Sequence, residues 1–293
     1  MDEIRITEKN ISDVISDLYR KRPDKGNKGT FGTLGIIAGS VGFRGCASLA
    51  CRAALRAGAG IVKLISIEEV CLPAVTSNPE IILSVTGKTP DGLINPRDAA
   101  LSFGKTSALL IGCGMTVSPE TLSSVSAVLT SGIPAVLDAD ALNSVAASGD
   151  IGIIDGAGVI VTPHAGEAAR LTGLDIMKLK RNQGGYCADF ASKHGCVAVF
   201  KDHVTAVSDG KRLAMLDIPN GGMSRGGAGD VLAGVISSLR AQGYGSFEAA
   251  LLGVCLHSEA GLRAKRKFGD AMLPSDVSDL ILQGFIPKGE LPK

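Results

Sequence analysis

The chain has 293 residues, 45% of them apolar and 20% charged, enough to bury the core of one large α/β domain or two smaller ones. Lys plus Arg number 30 against 29 for Asp plus Glu, so a net charge of +1 gives neither nucleic acid nor an anionic membrane an electrostatic reason to bind. No apolar run approaches a bilayer-spanning length and the start MDEIRITEKN lacks the core of a signal peptide, so cytoplasmic small-molecule chemistry is the default expectation.

In chain order, Asn10 reads as the N-cap of a first helix, with Ile11, Val14, Ile15 and Leu18 at helical spacing and an end near Arg20. KRPDKGNKGT is a polar connector. GTLGIIAGS then reads as a buried strand entering a glycine turn, followed by an alanine-rich helix ending at Gly58 and a second strand, GIVKLIS. EIILSV, SALLIGCG, PAVLDAD and GVIVTPH continue the series, with helical segments between most of them. That alternation predicts a mainly parallel sheet covered on both faces, with ligands at the carboxyl ends of the strands. Candidate polar residues fall at those ends: Ser40, the Gly112 to Gly114 loop, Asp138, Asp140, and His164 with Glu167. Each could serve as a turn residue or helix cap, and their recurrence favours one cleft. After a long helical stretch from Leu174 to Gly195, CVAVFKD, VTAVSDG and KRLAMLDI follow too closely for crossovers, so antiparallel or edge strands are expected. The helices SFEAALLGVCLHSEAGLRAKRK and PSDVSDLILQGF close the chain, which we read as one domain over 1–293 with residues 1–27 as helix and connector.

Seven cysteines, none in a Cys-x-x-Cys pair, and four scattered histidines predict reduced core thiols and no structural metal site. FGKTS lacks the first glycine of a P-loop, Ala99 standing in its place, and precedes a strand. Gly39, Gly42 and Gly45 have the wrong spacing for a dinucleotide fingerprint, and no Gly-x-Ser-x-Gly elbow occurs. Hydride transfer and serine hydrolysis lose their support.

The stretch NGGMSRGGAGDVLAGVISSLRAQG, Asn220 to Gly243, organises the rest. Gly226, Gly227 and Gly229 free the backbone to turn N–H groups toward one point, and Val231, Leu232, Val235, Ile236 and Leu239 place the next helix face against a core. A glycine-rich turn opening a helix suits an anion such as phosphate. Asp230, in the first turn, fits two roles equally on residues alone: helix cap, or base toward a hydroxyl attacking phosphorus.

GGAGD closely resembles the Gly-x-Gly-Asp signature of ribokinase-like kinases. Together with KGTFGTLGIIAGS, GFRGCASLACRAALRAGAGIVKL, PAVLDADALN and TPHAGE, over about residues 28 to 262, the chain resembles one branch of them, the ADP- or ATP-dependent NAD(P)H-hydrate dehydratases. The resemblance implies a three-layer α/β/α sandwich and a repair reaction: a hydrated nicotinamide loses its C6 hydroxyl after phosphorylation by the nucleotide. It implies Asp230 as base, Gly227, Ala228 and Gly229 as anion hole, and Gly45, Cys46, Gly112, Gly114 and His164 as substrate contacts. The nucleotide would lie along Lys201, Asp202, His203, Val204 and Thr205 and against Gly229. Magnesium, metal ligands unassigned, would accompany ADP or ATP, and relatives imply a homotetramer. Five departures stand out: Ala165, Asp202 and Ala228 replace Pro, Gly and Thr or Met, Cys113 replaces the proline of Gly-Pro-Gly, and Cys46 replaces a small apolar residue. A carboxylate at 202 repels a phosphate unless it points away or meets magnesium. The chain lacks the N-terminal epimerase domain of many relatives, so dehydratase activity alone is expected. Donor and choice between NADH and NADPH hydrate stay open. The rivals are a kinase of the same superfamily acting on a vitamin-precursor alcohol, and a non-catalytic nucleotide-binding module.

Overall fold

The short apolar runs become strands of one sheet in the computed structural model, which describes residues 2–283. They are β1 (Asp2–Ile6), β2 (Thr33–Ile37), β3 (Ile61–Ser66), β4 (Ile82–Val85), β5 (Ala108–Ile111), β6 (Ala135–Leu137), β7 (Val159–Val161), β8 (Val197–Phe200), β9 (Val204–Ser208) and β10 (Arg212–Asp217). The spatial order is β1-β10-β9-β8-β7-β6-β5-β2-β3-β4. Every pairing is parallel except those of β9, which runs antiparallel to β8 and β10, as the missing crossovers required. β5 to β8 are buried on both faces and read as continuous Val, Leu, Ile, Ala and Phe.

Helices fill both faces. One layer holds Ile11–Leu18, Gly45–Arg56, Glu68–Ser77, Ala228–Ala241, Ser246–Phe268 and Pro274–Leu280. The other holds Pro96–Leu101, Pro119–Thr130, Asp140–Ser148, Ala165–Thr172, Ile176–Arg181 and Gln183–His194. The result is a mostly parallel sheet between two helical layers, the expected α/β class. Among the described residues no helix is long and apolar enough to cross a membrane.

Five local expectations are corrected. Asp2–Ile6 escapes sequence reading because DEIRI is polar; as an edge strand it has a single partner, β10, and buries Ile6. Asn10 stands at the N-cap position of the first helix without capping it, since its side chain accepts from the Thr7 N–H at 2.8 Å and donates to the Arg5 carbonyl at 2.9 Å. That helix ends at Leu18. The stretch from Leu174 splits at Asn182, whose side chain caps the second piece through the Gly185 N–H. The last helix stops at Leu280, and residues 284–285 of the segment assigned to it lie outside the described residues.

Ala228–Ala241 departs most from a one-faced helix. Beyond its five large apolar residues it buries Ala233, Gly234, Ser237 and Ser238, because it lies between Gly45–Arg56, Ser246–Phe268 and the sheet. At Gly234 a Cβ would meet the Ala50 carbonyl oxygen at 2.4 Å, so the two helices touch backbone to backbone. Ser238 is satisfied across the same seam, donating to the Ala54 carbonyl at 2.8 Å and accepting from the Ala59 N–H at 3.0 Å. This packing fixes the glycine turn at its amino end over the carboxyl ends of β5 and β6.

Candidate active site

Those strand ends gather the polar residues that the sequence scattered. Asp138, following β6, is buried; its Oδ1 accepts from Thr162 Oγ1 at 2.7 Å and from Lys201 Nζ at 2.7 Å. Burial works against the Lys201 ammonium, but Asp138 and then Glu167 outweigh it and hold the group charged. Gly229 comes close to both partners of that pair. A Cβ there would stand 3.6 Å from Lys201 Nζ and 3.8 Å from Asp138 Oδ2.

The turn itself follows from backbone chemistry. Gly227 sits at the N-cap with φ +101°, and the N–H groups of Gly227, Gly229 and Asp230 find no acceptor among the described residues. The Ala228 N–H is engaged by the Arg225 carbonyl at 3.2 Å, so that member of the expected anion hole is turned inward. Free N–H groups at a helix start, with an ammonium beside them, form a receptor for an anion.

Asp230 is half-buried and enters no ion pair among the described residues. Burial, then the charge of Asp138, push its carboxyl from 3.8 up to about 6, with the Cys113 thiol and Lys201 pulling the other way and Asp140 adding to the rise. A carboxylate so poised is a competent base near neutral pH.

The loop after β5 closes the other side. Gly112 has φ +126°, and a Cβ there would lie 1.9 Å from the Asp138 carbonyl oxygen; only glycine lets the two strand ends approach. Gly114 likewise admits the Cys46 sulfur, which donates to the carbonyls of Phe43 and Cys113 at 3.3 Å each. Ala139 and Thr116 have φ +50° and +71°, and Asp140 receives the Thr116 N–H at 2.9 Å. Backbone strain is thus concentrated in this cleft. Gly45 begins the helix beside it, with open space where a side chain would go.

His164 and Glu167 carry local roles. His164 Nδ1 caps its helix through the N–H groups of Gly166 and Glu167, while Glu167 accepts the His164 N–H at 2.9 Å. The cap leaves Nε2 3.3 Å from Glu167 Oε1. Burial and then Lys201 lower the His164 pKa and keep the ring neutral, while burial and Asp138 raise that of Glu167.

A cavity of 640 Å³ runs from the anion receptor past Lys201, Thr205, Asn220, Ala228, Gly229 and His257. Val204 faces a separate hollow beside β1 instead. Asp202 does not oppose a ligand with a bare charge: Lys180 pairs with it at 2.8 Å and the His203 N–H binds Oδ1 at 2.9 Å, which overcomes burial and leaves its carboxyl below the usual range. Sequence reading missed Thr162, Asn220 and His257 as members of the site. The recurrence of polar residues at strand ends, already visible at Asp138, was the signal for Thr162, while His257 lies inside an apolar helix and gave none.

A family model for NAD(P)H-hydrate dehydratase matches residues 34–283. The chain belongs to the NAD(P)H-hydrate dehydratase family. An ADP-dependent (S)-NAD(P)H-hydrate dehydratase of Neisseria meningitidis is 33% identical across 87% of this chain and 84% of its own. A bifunctional NAD(P)H-hydrate repair enzyme of Moorella thermoacetica is 34% identical across 89% of this chain but 50% of its own length, so the chain spans about half of such relatives. Among solved structures, the ADP/ATP-dependent NAD(P)H-hydrate dehydratase of Bacillus subtilis, crystallised with ATP and Mg2+, superposes with a TM-score of 0.79 at 27% identity over 92% of this chain and 94% of that one. A ribokinase-like protein of Enterococcus faecalis, TM-score 0.82 at 22% identity over 97% and 95% of the chains, shares the fold.

Proposed function

We propose that this chain restores NAD(P)H from the S epimer of its hydrate, consuming ADP or ATP. The observation that carries the reading is the Asp230 carboxylate, raised to about 6, beside free backbone N–H groups and the Lys201 ammonium. Hydroxide is a poor leaving group and phosphate a good one. Asp230 takes the proton of the C6 hydroxyl as its oxygen attacks the terminal phosphorus of the nucleotide, and the bond from that phosphorus to its bridging oxygen breaks. The N–H groups of Gly229 and Asp230, with Lys201, offset the charge gathering on the transferred group. The ring nitrogen then expels phosphate from C6, and loss of a proton from C5 forms the double bond. ADP would leave as AMP.

In this reading Gly45, Cys46, Gly112 and Gly114 border the nicotinamide side, Lys201, Asp202, His203, Thr205 and Gly229 the nucleotide side, with His164 on the wall of that same cavity and Val204 left out because it faces the hollow beside β1. His164 presents its neutral ring to the substrate while its other nitrogen caps the helix. Mg2+ would enter with the nucleotide's phosphates and help offset their charge. The one group of possible ligands close enough to share an ion among the described residues contains a thiol, which does not suit that cation. We further propose that the chain works as one catalytic domain in a homotetramer. The exposed Ile82 and Val85 on edge strand β4, with Leu72 nearby in sequence, support self-association, which light scattering tests.

The decisive experiment follows recovery of the reduced-nicotinamide absorbance with hydrated NADH or NADPH, magnesium, and ADP or ATP. Recovery that requires nucleotide is expected and identifies the donor. No recovery with either would overturn the dehydratase reading and direct attention to alcohol phosphorylation on the same fold.

A further inference from the structure

Cys113 has a specific place in the cleft. The side chain is fully buried, and its sulfur, an Asp138 oxygen and an Asp230 oxygen all lie within 4.8 Å of one another. Asp138 spends Oδ1 on Lys201 and Thr162, while Oδ2 has no hydrogen-bond partner among the described residues and faces Gly229. Asp230 enters no ion pair among the described residues, and the Cys113 sulfur lies beside its carboxylate. Two carboxylates and a sulfur therefore converge on one small space, reachable from the cleft through half-buried Asp230.

One sulfur and two carboxylate oxygens are the donor set of a borderline-soft divalent cation, not of Mg2+. We propose that Cys113, Asp138 and Asp230 form an inhibitory site for a thiophilic divalent cation, with Zn2+ as the representative ion. Water completes the tetrahedron. As the sulfur–metal bond forms, the thiol proton passes to solvent, so binding tightens as pH rises. Lys201 opposes the ion, but two carboxylates and a thiolate set three negative charges against its single positive one. With its oxygen on the metal, Asp230 cannot accept the hydroxyl proton, and metal binding excludes turnover. That consequence rests on Asp230 as the base; the binding itself does not.

The test titrates the 293-residue chain with Co2+, whose thiolate complexes absorb by charge transfer. Wild type should show that band, Zn2+ should displace it, C46S should retain it and C113A should lose it. D230N, which keeps the thiol, should bind Co2+ at least about tenfold more weakly, as loss of a ligand costs no less than loss of an outer partner. With magnesium as the only metal, C113A should turn over, and it should need about tenfold more Zn2+ for half-inhibition. A folded wild type without a thiolate band, or an equal band in C113A, overturns the site. If the band appears while wild type lacks dehydratase turnover, the metal site stands and the functional reading falls.

Discussion

The two ends of the sheet treat charge in opposite ways. At the amino end of β8 and β10, Arg212 binds Asp209 at 2.8 Å and Glu248 at 2.7 Å, and both carboxyls lie below their usual values because hydrogen bonds and Arg212 outweigh burial. At the carboxyl end, Asp138 and Asp230 face each other with one ammonium nearby, and Asp230 is pushed up to about 6. Charge is satisfied where the fold needs only a surface. It is left unsatisfied beside the free N–H groups of the glycine turn, where we propose that an anion and a base meet, and the strained Ala139 and Thr116 lie at that end too.

Asp230→Asn gives the largest expected effect, a loss of turnover of about 10²- to 10⁴-fold, with nucleotide affinity measured by calorimetry little changed. If nucleotide binding falls equally, Asp230 is a binding residue and the contrast between the ends is lost. In wild type, kcat/KM should fall as pH drops through about 6, where Asp230 takes up its proton. The same substitution should stabilise the protein. Because the folded value lies above 3.8, wild type loses stability as pH rises from about 4 through about 6. The variant should thus gain on the order of 2 kcal/mol in thermal or urea unfolding at pH 8 and nothing at pH 4.

Lys201→Met leaves Asp138 buried without its counter-charge and should cost about 3–5 kcal/mol of stability; adding Asp138→Asn should recover part of it. Gly112→Ala forces a side chain against the Asp138 carbonyl at a positive φ, an expected loss of about 1–3 kcal/mol, with kcat falling more than nucleotide affinity. Arg212→Gln, at the opposite end, should cost no more than about 1 kcal/mol and leave kinetics unchanged. An Arg212 effect as large as that of Lys201 would erase the distinction.

Legibility in the sequence followed the same division. GGAGD, TPHAGE and the apolar runs of β5 to β8 were readable because each works through neighbouring residues: a helix start, a capping box, a strand buried on both faces. Asp2–Ile6 was not, since an edge strand's polar composition carries no pattern. The burial of Ala228–Ala241 on all sides was hidden because Ser237 and Ser238 read as a solvent face until Ala233 and Ala54 supply their acceptors.

The sequence by itself therefore determined the alternating elements, the mainly parallel sheet and the glycine turn that opens a helix, all consequences of periodicity and local backbone chemistry, while its motifs carried the resemblance to the family. Tertiary structure decided that Lys201 meets Asp138 across 63 residues, that the Ala228 N–H turns inward, that Lys180 neutralises Asp202, and that Cys113 faces Asp230. Those facts depend on which strand ends lie side by side in the sheet order, and burial and through-space charge between segments distant in the chain leave no periodic trace in it.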